Sequence, residues 1–340
     1  MHAGKKFTIR QVLFWTRREI FIFLIVATVP TVLYQVFGFH WLVIPWLPVA
    51  LIGTAVAFLI GFKNNASYGR LWEARKIWGA IVNASRTWSM MVKDFINNDF
   101  TDQKVGESEL KEAHKRLVYR HIAWLTALRF QLRQPKAWEN LDKAHAKEYR
   151  KFYSVPEWET KLEDEIAPYL SREDLQYVLS KKNRATQLLS LQSADIRKLR
   201  SKKLIDAYPY VELENMLEEF FTHQGKAERI KGFPYPRQFA TFNLYFVWLF
   251  IALVPLGMMQ EIHSKLGDPF VWLTIPFTIL VAWVFHTMEK IGEATENPFE
   301  GGANDIPMAN MSRTIEIDMR EMLDETDVPS PTQAVNDILM

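Results

Sequence analysis

Four residues near the end of the last apolar stretch have the types and spacing of a metal site. They follow one another at intervals of three and four residues: His286, Glu289, Glu293 and Glu296. On an α-helix these intervals place side chains on one face, where imidazole and carboxylate groups can share a metal ion. Two observations favour an ordinary helix end instead, because Lys290 stands among them and no second His–Glu set occurs elsewhere. We therefore predict no metal site here.

Motifs of common catalytic and binding sites are also missing from the sequence. No nucleophile motif of the Gly-x-Ser-x-Gly type, phosphate-binding glycine loop or His-Glu-x-x-His motif is present. The chain has no Cys, which excludes disulfides and thiolate chemistry. A formal net charge of +2 argues against a nucleic-acid-binding protein. The sequence predicts no enzyme, no catalytic residue and no nucleic-acid partner.

A stripe in the second apolar stretch indicates a different function. Thr54, Phe58 and Phe62 recur every four residues and lie on one side of a helix. Small residues beside them would let helices approach closely: Gly53, Ala55, Ala57 and Gly61. A ring of such side chains around an axis forms an apolar constriction that gates by dewetting, and several copies of the chain would be needed to build it. The alternative is ordinary packing against lipid or other helices.

Four stretches have the length and composition of membrane spans. They contain no Asp, Glu, Lys or Arg and cover residues 20–37, 43–62, 240–259 and 269–288. Each approaches the roughly 20 residues that a spanning helix needs. The mean hydropathy of −0.10 conceals them because the middle of the chain is highly charged. The alternative, four buried helices of a large soluble core, is disfavoured because four charge-free stretches of this length rarely occur together.

The basic residues predict the orientation in the membrane. Five Lys or Arg residues precede the first stretch and four lie within residues 63–76, whereas residues 38–42 and 260–268 hold one Lys between them. Basic segments remain on the cytoplasmic side. Both termini are therefore expected in the cytoplasm.

The predicted fold class is all-α, with four transmembrane helices and a helical cytoplasmic domain. Residues 1–62 hold an N-terminal interfacial helix, starting at a capping box of Thr8 and Gln11, and the first two membrane helices. Residues 63–236 form the cytoplasmic domain, into which the second membrane helix continues. Residues 237–290 hold the third and fourth membrane helices, and residues 291–340 a cytoplasmic segment with a flexible tail.

Three separated segments carry a family resemblance. Residues 61–79, 228–242 and 293–316 are similar to motifs of the bestrophins, most closely of their bacterial branch. The motif positions to which we assign a structural role are Asn64, Trp72, Glu73, Trp78, Pro234, Pro236, Asn297, Pro298, Phe299 and Asp305.

The resemblance implies a homopentameric ion channel with one axial pore. Its hydrophobic neck would fall on Thr54, Phe58 and Phe62, although Thr54 departs from the family's usual apolar residue. A second, cytoplasmic aperture is expected near residues 187–193, with Leu188 or Leu191 as candidates.

The expected cargo is small monovalent ions, with chloride-type anions favoured and cations as the alternative. Lys63 and Arg70 lie just past the neck and could attract anions, or could instead face lipid phosphates or Glu73. The expected location is the bacterial inner membrane, in contact with its lipids. A non-conducting membrane scaffold that binds an unidentified cytoplasmic protein is the alternative function.

Calcium is not expected as a cofactor. Animal bestrophins bind it with a run of acidic residues after the Asn-Pro-Phe motif, where this chain has only Glu300 and Asp305 within residues 300–305. Calcium takes six to eight oxygen ligands. We therefore predict no animal-type calcium clasp.

Overall fold

The computed structural model describes all 340 residues as a helical protein without β-strands, as the sequence predicts. Short 3₁₀ turns join some of its twelve α-helices. These are α1 Ile9–Gln35, α2 Trp46–Phe95, α3 Glu107–Arg133, α4 Ala144–Tyr149, α5 Pro156–Glu159, α6 Leu162–Ile166, α7 Arg172–Leu179, α8 Arg184–Ser201, α9 Ala207–Gly232, α10 Arg237–Leu266, α11 Thr274–Thr295 and α12 Met308–Met322.

A bundle of long apolar helices forms one end of the molecule. By length and composition α2, α10, and α11 with the turn before it can cross a membrane. The predicted first span lies in α1, which also contains Arg17, Arg18 and Glu19. Its charge-free second half packs against α10 and α11, burying Phe23 and Ala27. This half of α1 is the fourth member of the bundle.

The start of α1 is continuous with the membrane helix and is not a separate interfacial helix. The predicted capping box is present: the Thr8 backbone N–H donates to Gln11 Oε1 at 2.7 Å, and Thr8 Oγ1 accepts from the Gln11 N–H at 3.3 Å. Arg17 and Arg18 both form ion pairs with Glu148 in α4. These contacts hold the first turns of α1 against the cytoplasmic domain.

Helix α2 connects the two halves of the molecule. Its 50 residues extend about 75 Å at 1.5 Å per residue. Val56 and Ile60 are buried in the membrane bundle, and Trp78 and Trp88 are buried further along, where α2 packs against α9 and α12. The prediction that the second apolar stretch continues as one helix into the charged middle of the chain is confirmed.

Aromatic side chains fill the centre of the cytoplasmic domain. Trp88, Trp124 and Phe220 surround the fully buried imidazole of His121, whose Nε2 lies 2.8 Å from Ser85 Oγ. Burial lowers the pKa of His121 to about 3, so the ring is neutral at physiological pH. A neutral ring with one hydroxyl partner suits this apolar core.

The last residues of the chain are docked, although the sequence predicts a flexible tail. The Leu339 N–H donates to the Met1 carbonyl at 2.9 Å, and the Ala3 N–H donates to the Asp337 carbonyl at 2.7 Å. Ile338 and Met340 are buried beside Val155. The prediction fails here because two apolar side chains at the end of a polar segment find a matching surface.

Candidate functional site

The stripe on α2 is exposed on the surface of the single chain. Phe58 is 66% and Phe62 69% exposed, whereas Val56 and Ile60 on the other side of the helix are buried. Thr54 is also exposed, and its hydroxyl donates to the Ala50 carbonyl at 3.0 Å, so its polar group is satisfied within the helix. The structure thus leaves an aromatic face of α2 without a partner in its own chain.

A shallow groove of about 830 Å³ runs beside this stripe, and α10 and α11 form its other side. Phe250, Met258, Val281 and Phe285 line it opposite the stripe. At Gly53 an added Cβ would lie 2.6 Å from the Phe250 ring, so this glycine permits the close approach of α2 and α10. At Gly61 nothing lies within 4 Å, and the space there is open.

Lys63 does not face the exposed side where ions would pass. Its ammonium is buried, pairs with the Glu289 carboxylate and lies 3.8 Å from Glu296 Oε2. Asn243 also donates to Glu289. The prediction that Lys63 attracts ions is therefore wrong for this structure, because its charge is neutralised inside the protein.

Arg70 is likewise held by the protein and does not reach Glu73. Its Nε donates to the Glu296 carbonyl at 2.9 Å and its Nη2 to the Phe233 carbonyl at 2.7 Å. Glu73 pairs with Arg229 at 3.0 Å. Arg70 joins α2 to the ends of α9 and α11, and we withdraw it as an ion-attracting residue.

Lys76 is an exposed basic residue further along α2. It follows Phe58 by 18 residues, which is five turns of an ideal helix, so both point to the same side of α2. Its side chain is exposed and forms no ion pair. The sequence contained this signal, because the 18-residue repeat of an ideal helix places Lys76 on the same side as Phe58, whereas steps of four residues lead to Arg70 and Ala74.

The structure distinguishes between the two candidates for the cytoplasmic aperture, Leu188 and Leu191. Leu188 is fully buried in the core of the cytoplasmic domain, so it cannot line an opening, and that prediction is wrong. Leu191 is half-buried at the edge of this core. The neighbouring Ser190 is exposed, which places this side of α8 at the surface.

The family motif after Phe62 mainly supports helix packing. Asn64 Nδ2 donates to the Met288 carbonyl at 3.1 Å, and Gly292 leaves room for the Asn64 side chain where a Cβ would collide with it. Trp78 is fully buried, whereas Trp72 is exposed and stacks on Tyr68 with 6.4 Å between the ring centroids.

The proline motif sets the start of α10. Pro236 occupies the position before the first turn with φ −53°, which a proline ring favours. Pro234 is half-buried two residues earlier.

Asp305 organises the loop that follows the Asn297-Pro298-Phe299 motif. Its Oδ1 accepts from the N–H groups of Phe299 at 2.9 Å and Ile306 at 2.7 Å. Its Oδ2 accepts from the Gly301 N–H and from Arg133 Nη1, both at 2.7 Å. Phe299 is buried with φ +71°, a left-handed conformation that these bonds hold in place.

The four possible metal ligands at the end of α11 have separate partners. His286 packs against Trp248 and Phe23, Glu289 binds Lys63, and Glu293 pairs with Lys143 at 2.6 Å. Glu296 Oε1 accepts from Asn140 at 3.0 Å. No group of three or more His, Cys, Asp or Glu residues in the structure could hold a metal ion.

These features define a helical membrane protein with a large cytoplasmic domain, and comparison with known proteins identifies its family. The family model of the bacterial/fungal bestrophin protein matches residues 8–321. The chain therefore belongs to the bestrophins, as its motifs indicate. This membership agrees with the prediction that it is an ion-transport protein and not an enzyme.

Relatives and solved structures cover most of the chain. The voltage-dependent anion channel-forming protein YneE of Escherichia coli K12 is 26% identical over 284 residues, covering 83% of this chain and 78% of that protein. A similarly named protein of Ralstonia nicotianae is 27% identical over 290 residues, covering 84% of this chain and 81% of its own. The crystal structure of a bacterial bestrophin homologue from Klebsiella pneumoniae matches with a TM-score of 0.73 at 23% identity, over 91% of this chain and 99% of the other. This match confirms the fold.

Proposed function

We propose that this protein is a homopentameric channel that passes monovalent anions of the chloride type. The observation that carries the proposal is the exposed stripe of Thr54, Phe58 and Phe62 on a helix whose other side is buried. Large exposed apolar faces mark surfaces that lie against lipid, another copy or a pore. The anion preference is supported by the names of the relatives, which describe anion channel-forming proteins.

In this proposal five copies of α2 surround the axis and form the neck. Two rings of phenylalanine would make an apolar constriction that excludes water when narrow and passes ions when it widens. The Thr54 ring would be more polar, because each hydroxyl oxygen retains acceptor capacity after donating to Ala50.

The attraction of anions is assigned to Lys76 in place of Lys63 and Arg70. Five unpaired ammonium groups around the axis would raise the local anion concentration on the cytoplasmic side of the neck. Leu191 remains our candidate for a second, cytoplasmic constriction, since it lies beside an exposed position of α8.

We also propose that the channel has no animal-type calcium clasp. Asp305 already accepts four hydrogen bonds, three from backbone N–H groups and one from Arg133. A carboxylate with this set of donors has no free oxygen lone pairs for a tight calcium site. Channel activity is expected to be independent of calcium.

The proposed location is the inner membrane of a bacterium, with both termini in the cytoplasm. The basic residues near the inner ends of α1 and α2 support this orientation. Membrane lipids would then cover the outer faces of α1, α10 and α11. The alternative, a scaffold that binds a cytoplasmic protein, predicts a folded oligomer without ion flux.

Single-cysteine variants test the neck directly, because the natural chain contains no Cys. Phe58→Cys places one thiol on the stripe, and Phe21→Cys places one on the exposed face of α1, which contacts α10 and α11 and lies away from α2. A thiol-reactive cation should change the chloride current through Phe58→Cys channels and leave Phe21→Cys unaffected. Equal responses, or no flux from a folded oligomer, would contradict the proposed pore.

A further inference from the structure

A second cavity lies where the membrane bundle meets the cytoplasmic domain. Its volume is about 340 Å³, within the range of small-molecule sites. Helices α1, α4 and α11 and the loop after α11 enclose it. It is remote from the stripe on α2, and none of the residues assigned above to the neck lines it.

Glu300 is the one carboxylate in the cavity wall. The residue is only 5% exposed, and its Oε2 accepts from the Asn140 N–H at 3.2 Å. Its Oε1 has no hydrogen-bond partner in the structure, and it lies near Gly302, which also lines the cavity. A carboxylate oxygen that borders a cavity and has no protein donor is free to accept a hydrogen bond from a ligand.

A second buried polar side chain next to the cavity also lacks partners. Asn297 is 7% exposed, and neither its amide oxygen nor its amide nitrogen is hydrogen-bonded. It lines a small adjoining void together with Glu300, Gly302 and Asn304. The void beside Asn297 is too small to admit a ligand, so the acceptor that faces the cavity is Glu300 Oε1, which fits a ligand that supplies a hydrogen-bond donor.

The remaining wall is aromatic and carries no positive charge. No Lys or Arg lines the cavity, and burial lowers the pKa of His145, so its ring is neutral at physiological pH. Rings of Phe7, Trp15, Tyr149 and Tyr153 contribute to the wall. Aromatic faces attract cations.

Trp15 already binds a cation of the protein itself. The Lys290 ammonium lies 4.7 Å from the centroid of the Trp15 ring, and it is also paired with Glu19. This lysine is therefore not available as the missing donor for Glu300.

We propose that this cavity binds an alkylammonium group, whose positive charge favours the ionised carboxylate of Glu300 once it is bound, with the surrounding rings as its apolar cage. An ammonium head has three donors, one of which suits Glu300 Oε1. The same chemistry is found in free primary amines and in the headgroup of phosphatidylethanolamine. The proposal does not depend on the ion that passes through the neck.

The first arm of the test uses the purified full chain and phenethylammonium as the probe, measured by titration calorimetry. Phenethyl alcohol and 3-phenylpropanoate are matched neutral and anionic probes. We expect saturable binding of the ammonium alone and an affinity at least tenfold lower in Glu300→Gln. Glu163→Gln, on the surface of the cytoplasmic domain, should bind like the wild type.

The second arm distinguishes the two possible sources of the ammonium group, a free amine and the headgroup of phosphatidylethanolamine. The wild type and Glu300→Gln are extracted from vesicles of equal phosphatidylethanolamine and phosphatidylcholine, and bound lipid is measured by native mass spectrometry. Selective, Glu300-dependent retention of phosphatidylethanolamine identifies the headgroup, and phenethylammonium binding without such retention identifies a free amine.

Three results would overturn the proposal. The first is equal binding of the neutral alcohol, and the second is undiminished ammonium binding by Glu300→Gln that elutes as an intact oligomer. The third is unchanged binding by Ala146→Leu. This substitution fills part of the cavity and leaves Glu300 in place, so it tests the cavity even if Glu300→Gln impairs folding.

Discussion

Lys63 pairs with Glu289 inside the protein, one residue after Phe62, where the exposed stripe of α2 ends. The pair joins the helix that carries the proposed neck to α11. Both side chains are about 97–98% buried, so each charge depends on the other for compensation. Lys63, which the sequence suggested as an ion-attracting residue, thus holds α2 against α11.

Removing one member of this pair should destabilise the protein strongly. Lys63→Met leaves Glu289 buried without its cation, a change that typically costs about 3–5 kcal/mol. We expect a clearly lower thermal midpoint of the detergent-solubilised oligomer, with partial recovery in Lys63→Met/Glu289→Gln. Arg229→Met is the control, since it breaks the exposed pair with Glu73. Similar midpoints for Lys63→Met and Arg229→Met would show that the buried pair is not important for stability.

Shortening the aromatic residues of the stripe should enlarge the conducting path. Phe58→Ala and Phe62→Ala remove exposed rings that the proposal places around the axis. Single-channel chloride conductance should rise, or the closed channel should leak, because a wider apolar ring holds water more easily. Phe21→Ala removes a ring of similar exposure from α1 and should behave as the wild type. If the α1 variant changes the current as much as the α2 variants do, the neck is misplaced.

Neutralising Lys76 should reduce the anion current in a salt-dependent way. Lys76→Gln removes the unpaired charge on the Phe58 side of α2, and we expect a several-fold lower chloride conductance in dilute salt. The difference should shrink near 1 M salt, where the Debye length is about 3 Å. Lys93→Gln serves as the control, because Lys93 is bound to Asp324. A conductance that is unchanged at all salt concentrations would exclude Lys76 from the ion path.

The ionisation of Glu300 should make stability depend on pH. Burial and the nearby carboxylates of Asp305 and Glu139 raise the pKa of Glu300 to about 8, against the opposing effects of Lys231 and the Asn140 N–H. The unfolded chain releases this proton near pH 4.5, whereas the folded chain retains it until about pH 8. Because the unfolded state binds fewer protons between these values, stability falls as the pH rises through this window.

Glu300→Gln allows the effect to be measured. Relative to this variant, the wild type should lose of order a few kcal/mol between pH 5 and pH 8, with no further loss above that. Thermal midpoints of both proteins across this pH range provide the test. A constant difference between them would mean that Glu300 titrates near its ordinary value.

The long helices were predictable because their signals are local. The charge-free stretches, the stripe that continues through α2 and the capping box at Thr8 all depend on residues within a few turns of one another. The docked tail was not predictable, because the surface that receives Ile338 and Met340 is assembled from distant parts of the chain.

Side-chain roles were harder to predict for the same reason. The partner of Lys63 lies 226 positions away, so nothing near Lys63 in the sequence shows that its charge is neutralised. Leu188 and Leu191 are three positions apart on α8, and only the packing of that helix shows which of them is buried.

The reversal potential under a KCl gradient tests the central claim most directly. The purified protein would be reconstituted into planar bilayers, with its oligomeric state confirmed beforehand. We predict a current that reverses near the equilibrium potential of chloride. A reversal near the potassium potential would contradict anion selectivity, and a folded oligomer that carries no current under any condition would contradict the channel itself.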